Sequence, residues 1–506
     1  MSYWQDGHRD GVCKEKGVYE MATISDKIEH IVVLMLENRS FDSVLGKLYP
    51  PGPGFEGLTG NETNPLYGGG DIEVWNNPGL DTKSMSIPDP DPGELWNDIN
   101  MQLFGLGRKP GIGVPHMDGF VDNYVRQKDQ PASAYDPKAV MHHYTPDQLP
   151  ALSTLAKAFA VCDRWFASAP CQTWPNRFFL HCATAGGYEN NSPIHPPYLM
   201  RTIFNRMSER QRDWCIYYHD FPQSLTLSDL WAHLDRFKLF DDFLKDAGNG
   251  GLPAYTFIEP RYFPGVDLPN DQHPPHHVGL GDELVAKVYN AVRHAPTWEK
   301  TLLIILYDEH GGLYDHVPPP AAAAPDNSDP RPFGFDRYGV RVPAVLISPY
   351  IKAGTVLRPP APANSDLPAH PFDHTSVIAT LRKCFDLGGP LTHRDAVAPD
   401  LESVLELDAP DNHGPESVQA LPYKVSETEL KAALAAPLNG FQKAIHEVAA
   451  HLPDLSALHA GESVFSAIED HIALFVHGLV KAVPDHRTAQ EAQQYVASQL
   501  EKFLKT

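Results

Sequence analysis

Two short, unbroken apolar runs constrain the fold of this chain more than any other feature. They are residues 31–36 (IVVLML) and residues 302–306 (LLIIL), built almost wholly from valine, isoleucine and leucine. Runs of this length, without polar alternation, are typical of parallel strands that helices cover on both faces. Sheets of that kind bind ligands in the crevice beyond the carboxyl ends of their strands. The chain is therefore predicted to be an α/β protein with its functional site at that edge.

Acidic and amide side chains follow both runs directly. Glu37 and Asn38 come after the first run, Asp308 and Glu309 come after the second, and a glycine pair stands at 311–312. Oxygen ligands of this kind suit magnesium, calcium or manganese, and a nearby histidine would admit zinc or iron. Either motif alone fits a helix cap or a turn equally well. Their recurrence after two strands favours a shared site for one divalent metal ion of undetermined identity, with a second ion left open.

A hydroxyl residue between these motifs stands near the start of a predicted helix. Thr173 is followed by Pro175, Arg177 and apolar residues at helical spacing. The free NH groups and the positive dipole end of a helix start bind phosphate well. A metal in contact with the Thr173 hydroxyl would lower its pKa and make it a nucleophile, whereas the structural alternative is an ordinary helix cap. Arg177 could hold a phosphate through two parallel hydrogen bonds, and an outward salt bridge fits the sequence as well.

Five strings in this order resemble the bacterial phosphoesterase family. They are ENRSFD (37–42), TWPNR (173–177), YDEHGGLYDHV (307–317), RVPAVLISPY (341–350) and FDHTSV (372–377). The family holds non-haemolytic phospholipases C and acid phosphatases, within the alkaline phosphatase superfamily, and the resemblance covers roughly residues 28–386. It implies a three-layer α/β/α sandwich with a mainly parallel central sheet and a covalent phospho-enzyme at Thr173. The metal ligands that it implies are Glu37, Asn38, Thr173, Asp308 and Glu309.

Histidines in polar loops supply further candidates. His273 lies in a DQHPP segment, similar to a family segment that supplies a phosphate-site histidine, and we expect it to bind a phosphate oxygen or protonate the leaving alkoxide. His116 lies in another family-like segment, and His219 follows a strand-like run. Asp373 and His374 are expected to support the metal ligands from behind or to cap the following helix. The predicted substrate contacts are Asn38, His116, His219 and Arg177.

Two features of the chain point to different branches of the family. Thr173 occupies the nucleophile position as in the phospholipases, whereas the tail after residue 410 looks like that of the acid phosphatases. The predicted function is a metal-dependent, phospholipase-C-like phosphoesterase acting through a covalent phosphothreonine. The alternatives are an acid phosphatase acting on phosphomonoesters and a catalytically idle binding protein with the same fold. A sulfatase-like activity is disfavoured because the cysteine motif of sulfatases is missing.

Charge and hydropathy limit the partners. The net charge of −23 and the lack of a basic stripe exclude nucleic acid as the usual partner. A small phosphate ester or a phospholipid is the expected substrate, and a zwitterionic lipid suits the acidic surface best. No apolar run approaches the roughly 20 residues of a membrane-spanning helix. Residues 1–20 lack the apolar core of an export signal, so we expect a cytoplasmic protein or one exported without such a signal.

The chain is long enough for a large catalytic domain with an addition. We expect a phosphoesterase domain over residues 22–407 and a helical C-terminal appendage over residues 423–506. Apolar residues recur at helical spacing in the appendage, for example Phe465, Ile468 and Ile472. The appendage is expected either to pack on the core or to mediate contacts between subunits, and the oligomeric state is left open.

Overall fold

The computed structural model describes residues 22–108, 114–192, 198–326, 333–360, 370–455 and 483–504. Its strands are β1 (His30–Leu36), β2 (Thr63–Leu66), β3 (Gly70–Glu73), β4 (Ala160–Cys162), β5 (Trp214–Tyr218), β6 (Phe237–Leu239), β7 (Tyr255–Glu259), β8 (Thr301–Tyr307), β9 (Ala344–Ile347) and β10 (Thr355–Leu357). Strands β2 and β3 form a separate ribbon. The other eight form one sheet in the order β10-β4-β9-β8-β1-β7-β5-β6.

Helices surround this sheet. In the described residues the α-helices are α1 (Ile24–Lys27), α2 (Phe41–Val44), α3 (Trp96–Phe104), α4 (Phe120–Tyr124), α5 (Pro150–Ala158), α6 (Thr173–Cys182), α7 (Ile203–Glu209), α8 (Phe240–Gly248), α9 (Val278–Arg293), α10 (Thr375–Phe385), α11 (His393–Val397), α12 (Glu427–Ala435), α13 (Gly440–Ala450) and α14 (Ala489–Leu504). Helices α5, α8 and α9 pack together against the sheet, and α1, α6, α7 and α10 form a second packed group.

The sheet is mainly parallel. Strand β9 runs antiparallel to its neighbours β4 and β8, and every other pair described in this sheet is parallel. All seven residues of β8 and six of the seven in β1 are buried, which explains why these strands are unbroken apolar runs. The predicted α/β fold with a mainly parallel central sheet is confirmed.

The register between β1 and β8 brings the two acidic motifs together. Leu36 pairs with Tyr307 at the carboxyl ends of these adjacent parallel strands. The next residue of each strand is therefore an acidic one, Glu37 in the first and Asp308 in the second, and both emerge at the same edge. This register is the structural reason why residues about 270 positions apart in sequence share one site.

The C-terminal helices α13 and α14 pack on the core. Phe441 and Ile445 of α13 and Val496 and Phe503 of α14 belong to the same buried hydrophobic cluster as the residues of β1. Of the two expected roles for the appendage, packing on the core is therefore observed. The spacing at Phe465 and its neighbours lies outside the described residues, as do residues 1–20. No helix in the described ranges is long and apolar enough to cross a membrane.

Candidate active site

The predicted nucleophile and the residues after β1 meet at the sheet edge. The Oγ1 atom of Thr173 lies 3.4 Å from Oε2 of Glu37 and 3.4 Å from Oδ1 of Asn38. The backbone NH of Asn38 donates to Oδ1 of Asp308 at 2.9 Å, which ties the first loop to the second. All four residues are fully buried. The structure thus brings the sequence-predicted residues of three distant segments into one cluster.

Thr173 is placed by the start of helix α6. The helix begins at Thr173 itself, Gln172 is the preceding cap residue, and no side-chain hydrogen bond caps the helix. The Thr173 hydroxyl instead donates toward the Glu37 and Asn38 side chains. The ordinary capping role that the sequence left open is therefore not the one observed.

Backbone geometry explains the glycine that follows the second strand. Asn38 has a φ of 55° and Gly311 has a φ of 62°, both in the left-handed region. A Cβ atom built on Gly311 would lie 2.8 Å from the carbonyl carbon of Asn38 and closer still to its oxygen. The two loops can approach this closely only because residue 311 has no side chain.

The carboxylates at this edge form a set that fits a cation. Oδ2 of Asp308 and Oε1 of Glu309 are buried and have no hydrogen-bond partner among the described residues. Burial raises the pKa of both groups, to about 8 for Glu309, and neighbouring carboxylates including Glu37 add to the effect. Unpartnered buried carboxylate oxygens are costly unless a cation neutralises them. Acidic groups at this edge can therefore hold a metal ion, and hard oxygen donors suit a divalent one.

Arg177 points inward rather than toward solvent. Its Nη2 donates to Oε1 of Glu37 at 2.5 Å, and its Nη1 lies 3.7 Å from Oε2 of Glu259. Burial opposes ionisation of Glu37, but the Arg177 charge and hydrogen bonds outweigh it and lower the pKa of that carboxyl. Nε and Nη1 of Arg177 have no hydrogen-bond partner among the described residues. Arg177 therefore fixes Glu37 and keeps two buried donors, and its contact with phosphate stays a prediction.

His273 lies in a second acidic group next to the first. Its ring nitrogens are 3.7 Å from Oδ1 of Asp91 and 3.8 Å from Oε1 of Glu94. Asn38 donates from Nδ2 to the same oxygen of Glu94 at 2.6 Å, so this group adjoins the cluster around Thr173. Asp91, Glu94 and His273 offer ligand atoms close enough to one another to hold a metal ion. Burial raises the pKa of Asp91 and Glu94 well above the usual range.

Other residues support the site from behind. His374 contacts the backbone oxygen of Asp308 through Nε2 at 2.6 Å, and Asp373 accepts a hydrogen bond from Ser168 at 2.9 Å. Gln223 donates from Nε2 to Oε1 of Glu37 at 2.7 Å. His374 thus orients the loop that carries Asp308, in line with the supporting role considered from the sequence.

Sequence reasoning missed Asp91, Glu94 and Gln223. The first two lie in the segment 88–94 and the third in a short 3₁₀ turn, Gln223–Thr226. Neither segment shows a strand-end signal. The only pointer in the sequence was the density of carboxylates in DPDPGE, which also reads as a solvated turn.

The remaining two predicted histidines, His116 and His219, take no part in the hydrogen bonds around Thr173, Glu37 and Asn38. His116 is exposed in the loop after α3, where its backbone NH donates to Leu103. His219 contacts the backbone oxygen of Glu259 through Nδ1 at 2.9 Å and stacks on Phe240. Burial lowers the pKa of His219 to about 4. Its ring borders a cavity of about 360 Å³, and substrate binding by either histidine stays a prediction.

Comparison with known proteins gives a consistent result. The model described as the Phosphoesterase family matches residues 28–388. Non-specific phospholipase C6 of Arabidopsis thaliana is 36% identical over 493 residues, covering 94% of this chain and 87% of that protein. Coverage of 94% requires residues beyond 388, so this similarity extends into the C-terminal helices.

Two further comparisons are more distant. Phospholipase C A of Mycobacterium tuberculosis is 28% identical, covering 76% of this chain and 78% of that protein. The solved structure of a protein in the alkaline phosphatase superfamily from Vibrio parahaemolyticus is 10% identical, with a TM-score of 0.30, over 51% of this chain and 64% of that one. A structural similarity this distant bears on neither substrate nor mechanism.

Proposed function

Since the chain belongs to the phosphoesterase family and is a hydrolase of phosphoric esters, we propose that it is a phospholipase-C-like phosphodiesterase that acts through a covalent phosphothreonine. The observation that carries the proposal is the buried Thr173 hydroxyl, 3.4 Å from oxygens of both Glu37 and Asn38 at the sheet edge. A hydroxyl held among candidate metal ligands at a helix start supports the role of a nucleophile that attacks phosphorus.

A divalent metal ion is part of the proposal. The unpartnered oxygens of Asp308 and Glu309 fit such an ion. The residues that would hold it are Glu37, Asn38, Thr173, Asp308 and Glu309. When bound, the ion would polarise the phosphoryl oxygens and favour the ionised form of the attacking hydroxyl.

The protein's own residues have separate tasks in the proposed reaction. Thr173 donates its hydroxyl hydrogen toward Glu37, which directs an oxygen lone pair at phosphorus. The Oγ1–phosphorus bond forms as the hydroxyl proton passes to Glu37 and the bond from phosphorus to the leaving oxygen breaks, and His273 delivers a proton to that oxygen. The Nε and Nη1 atoms of Arg177, which have no hydrogen-bond partner among the described residues, would stabilise the charge that develops on the phosphoryl group. Water then attacks phosphorus and gives one proton to His273, while the Oγ1–phosphorus bond breaks and Thr173 regains its proton from Glu37.

The nucleophile and the relatives favour a diester over a monoester. Threonine stands at the nucleophile position, as in the phospholipases that the chain resembles, and the relatives are named phospholipase C.

The proposed substrate class can be tested with two chromogenic esters. We expect the protein to hydrolyse p-nitrophenylphosphorylcholine at least about tenfold faster than p-nitrophenyl phosphate, and a chelator should abolish both activities. Thr173→Ala should be inactive with an unchanged melting temperature, while Thr173→Ser, the matched control, keeps a nucleophilic hydroxyl and measurable turnover. Preference for the monoester would place the protein with the acid phosphatases, and inactivity toward both esters would favour the idle binding protein.

A further inference from the structure

One C-terminal helix reaches the predicted catalytic histidine. The ring of Phe441, on α13, stacks on the imidazole of His273 with centroids 5.5 Å apart and planes inclined by 13°. Both side chains are nearly fully buried. The two residues are 168 positions apart, and they belong to the two predicted domains. The contact therefore joins the C-terminal helices directly to the phosphoryl-transfer site.

The same helix is anchored beside the site by two further contacts. Phe441 packs edge-on against Tyr262 at 5.4 Å, and the adjacent Gln442 donates from Nε2 to the backbone oxygen of Tyr262 at 2.9 Å. Tyr262 in turn donates from its hydroxyl to Glu259 at 3.2 Å. Glu259 lies 3.7 Å from Arg177. Helix α13 is thus fixed to the loop after β7, and the position of the Phe441 ring follows from that attachment.

Polar contacts alone restrain the imidazole of His273 weakly. Its hydrogen bond is between Nδ1 and the backbone oxygen of its neighbour Pro274, at 2.7 Å. The carboxylates of Asp91 and Glu94 are 3.7 and 3.8 Å away, beyond hydrogen-bonding distance. One hydrogen bond to an adjacent residue leaves the ring free to tilt about that contact. The Phe441 ring opposes such a tilt, because its centroid lies 5.5 Å from that of the imidazole and the two planes are nearly parallel.

We propose that Phe441 is a positioning residue, through which helix α13 holds the plane of the His273 imidazole so that the ring can protonate the leaving alkoxide. The inference rests on the proposed function. It implies that the C-terminal helices complete the active site, rather than serving only as a packed addition. A proton donor must be aligned with the oxygen it protonates, so loss of alignment reduces the step that needs the proton.

The test separates substrates by their need for that proton. p-Nitrophenolate leaves without protonation, whereas the alkoxide of a diacylglycerol requires it. In Phe441→Leu we expect kcat to fall by about 30- to 100-fold on a short-chain phosphatidylcholine, and by no more than about threefold on p-nitrophenylphosphorylcholine. Phe441→Tyr keeps an aromatic ring and should restore most of the loss. If Phe441→Leu does not fold, the same two activities are measured in Phe441→Met.

Phe503→Leu is the matched control. Phe503 is also a buried aromatic residue of the C-terminal helices, and it packs edge-on against Trp231 at 5.1 Å. This variant removes an equivalent ring from the same hydrophobic cluster. We expect it to change the two activities by the same small factor, which measures the cost of loosened packing alone.

A double variant gives the second readout. If Phe441 acts through His273, adding Phe441→Leu to His273→Gln should cause no further loss on the lipid. Equal losses on both substrates, a profile matching Phe503→Leu, or additive losses with His273→Gln would overturn the inference. Failure of the proposed function is distinguishable, because the unmodified protein would then hydrolyse neither diester.

Discussion

Replacing Gly311 with alanine tests the closeness of the two loops that form the site. Gly311 has a φ of 62°, and an added Cβ would overlap the backbone carbonyl of Asn38. The left-handed conformation alone costs a non-glycine residue about 1 to 2 kcal/mol. Forcing an atom into a packed site costs about 1 to 3 kcal/mol more. Gly311→Ala should therefore lower the free energy of unfolding by about 2 to 5 kcal/mol, since the two costs add.

Gly354 offers the matched control. Its φ is 74°, so alanine meets the same conformational cost, but an added Cβ has no atom within 4 Å. It precedes β10, and strands β4 and β9 lie between β10 and β8 in the sheet. Gly354→Ala should lose only about 1 to 2 kcal/mol and keep full activity.

The assay is urea unfolding of both variants beside hydrolysis of p-nitrophenylphosphorylcholine. Displacing Asn38 should move a predicted metal ligand, so we expect at least a tenfold loss of kcat in Gly311→Ala. Equal stabilities and equal activities for the two variants would refute the reasoning, because the contact between the loops would then impose no constraint.

Three further predictions concern the charged groups. Asp308→Asn should reduce bound divalent metal by at least about tenfold in affinity, measured by elemental analysis after dialysis, and full metal content would remove Asp308 from the ligand set. In metal-free protein, Glu309 titrates near 8 when folded and near 4.5 when unfolded, so the folded state binds more protons and the free energy of unfolding should fall as pH rises from about 5 to 8. Glu309→Gln should flatten that dependence in urea titrations with chelator, and an unchanged slope would contradict the assignment. Arg177→Met should destabilise the metal-free fold by about 3 to 5 kcal/mol because it leaves Glu37 buried without its partner, and a melting temperature equal to that of the unmodified protein would count against this.

The part of the site that follows β1 and β8 could be predicted from the sequence. Unbroken apolar runs identified both strands, and parallel strands side by side present the residues after them at one edge. Glu37 and Asp308 followed from that rule. Thr173 was a candidate because it stands near a predicted helix start, and the family resemblance strengthened that interpretation. Its hydroxyl lies 3.4 Å from Oε2 of Glu37.

The second acidic group could not be predicted in the same way. Asp91 and Glu94 come from a proline-rich segment without periodicity, and only the folded chain shows that this segment lies against Asn38. Gln223 reaches Glu37 from a short turn for which no local rule exists. Phe441 was one apolar residue among many in an amphipathic helix. Its contact with His273 depends on how α13 packs, which helical spacing alone does not determine.

The most direct test of the central claim is to trap the covalent intermediate. The protein is mixed with p-nitrophenylphosphorylcholine, quenched with acid within milliseconds, digested and examined by mass spectrometry. We predict a phosphorylcholine adduct on Thr173, absent from Thr173→Ala and from a sample quenched before substrate is added. Steady turnover without any adduct on Thr173, or with the adduct on another residue, would contradict the assignment of this hydroxyl as the nucleophile.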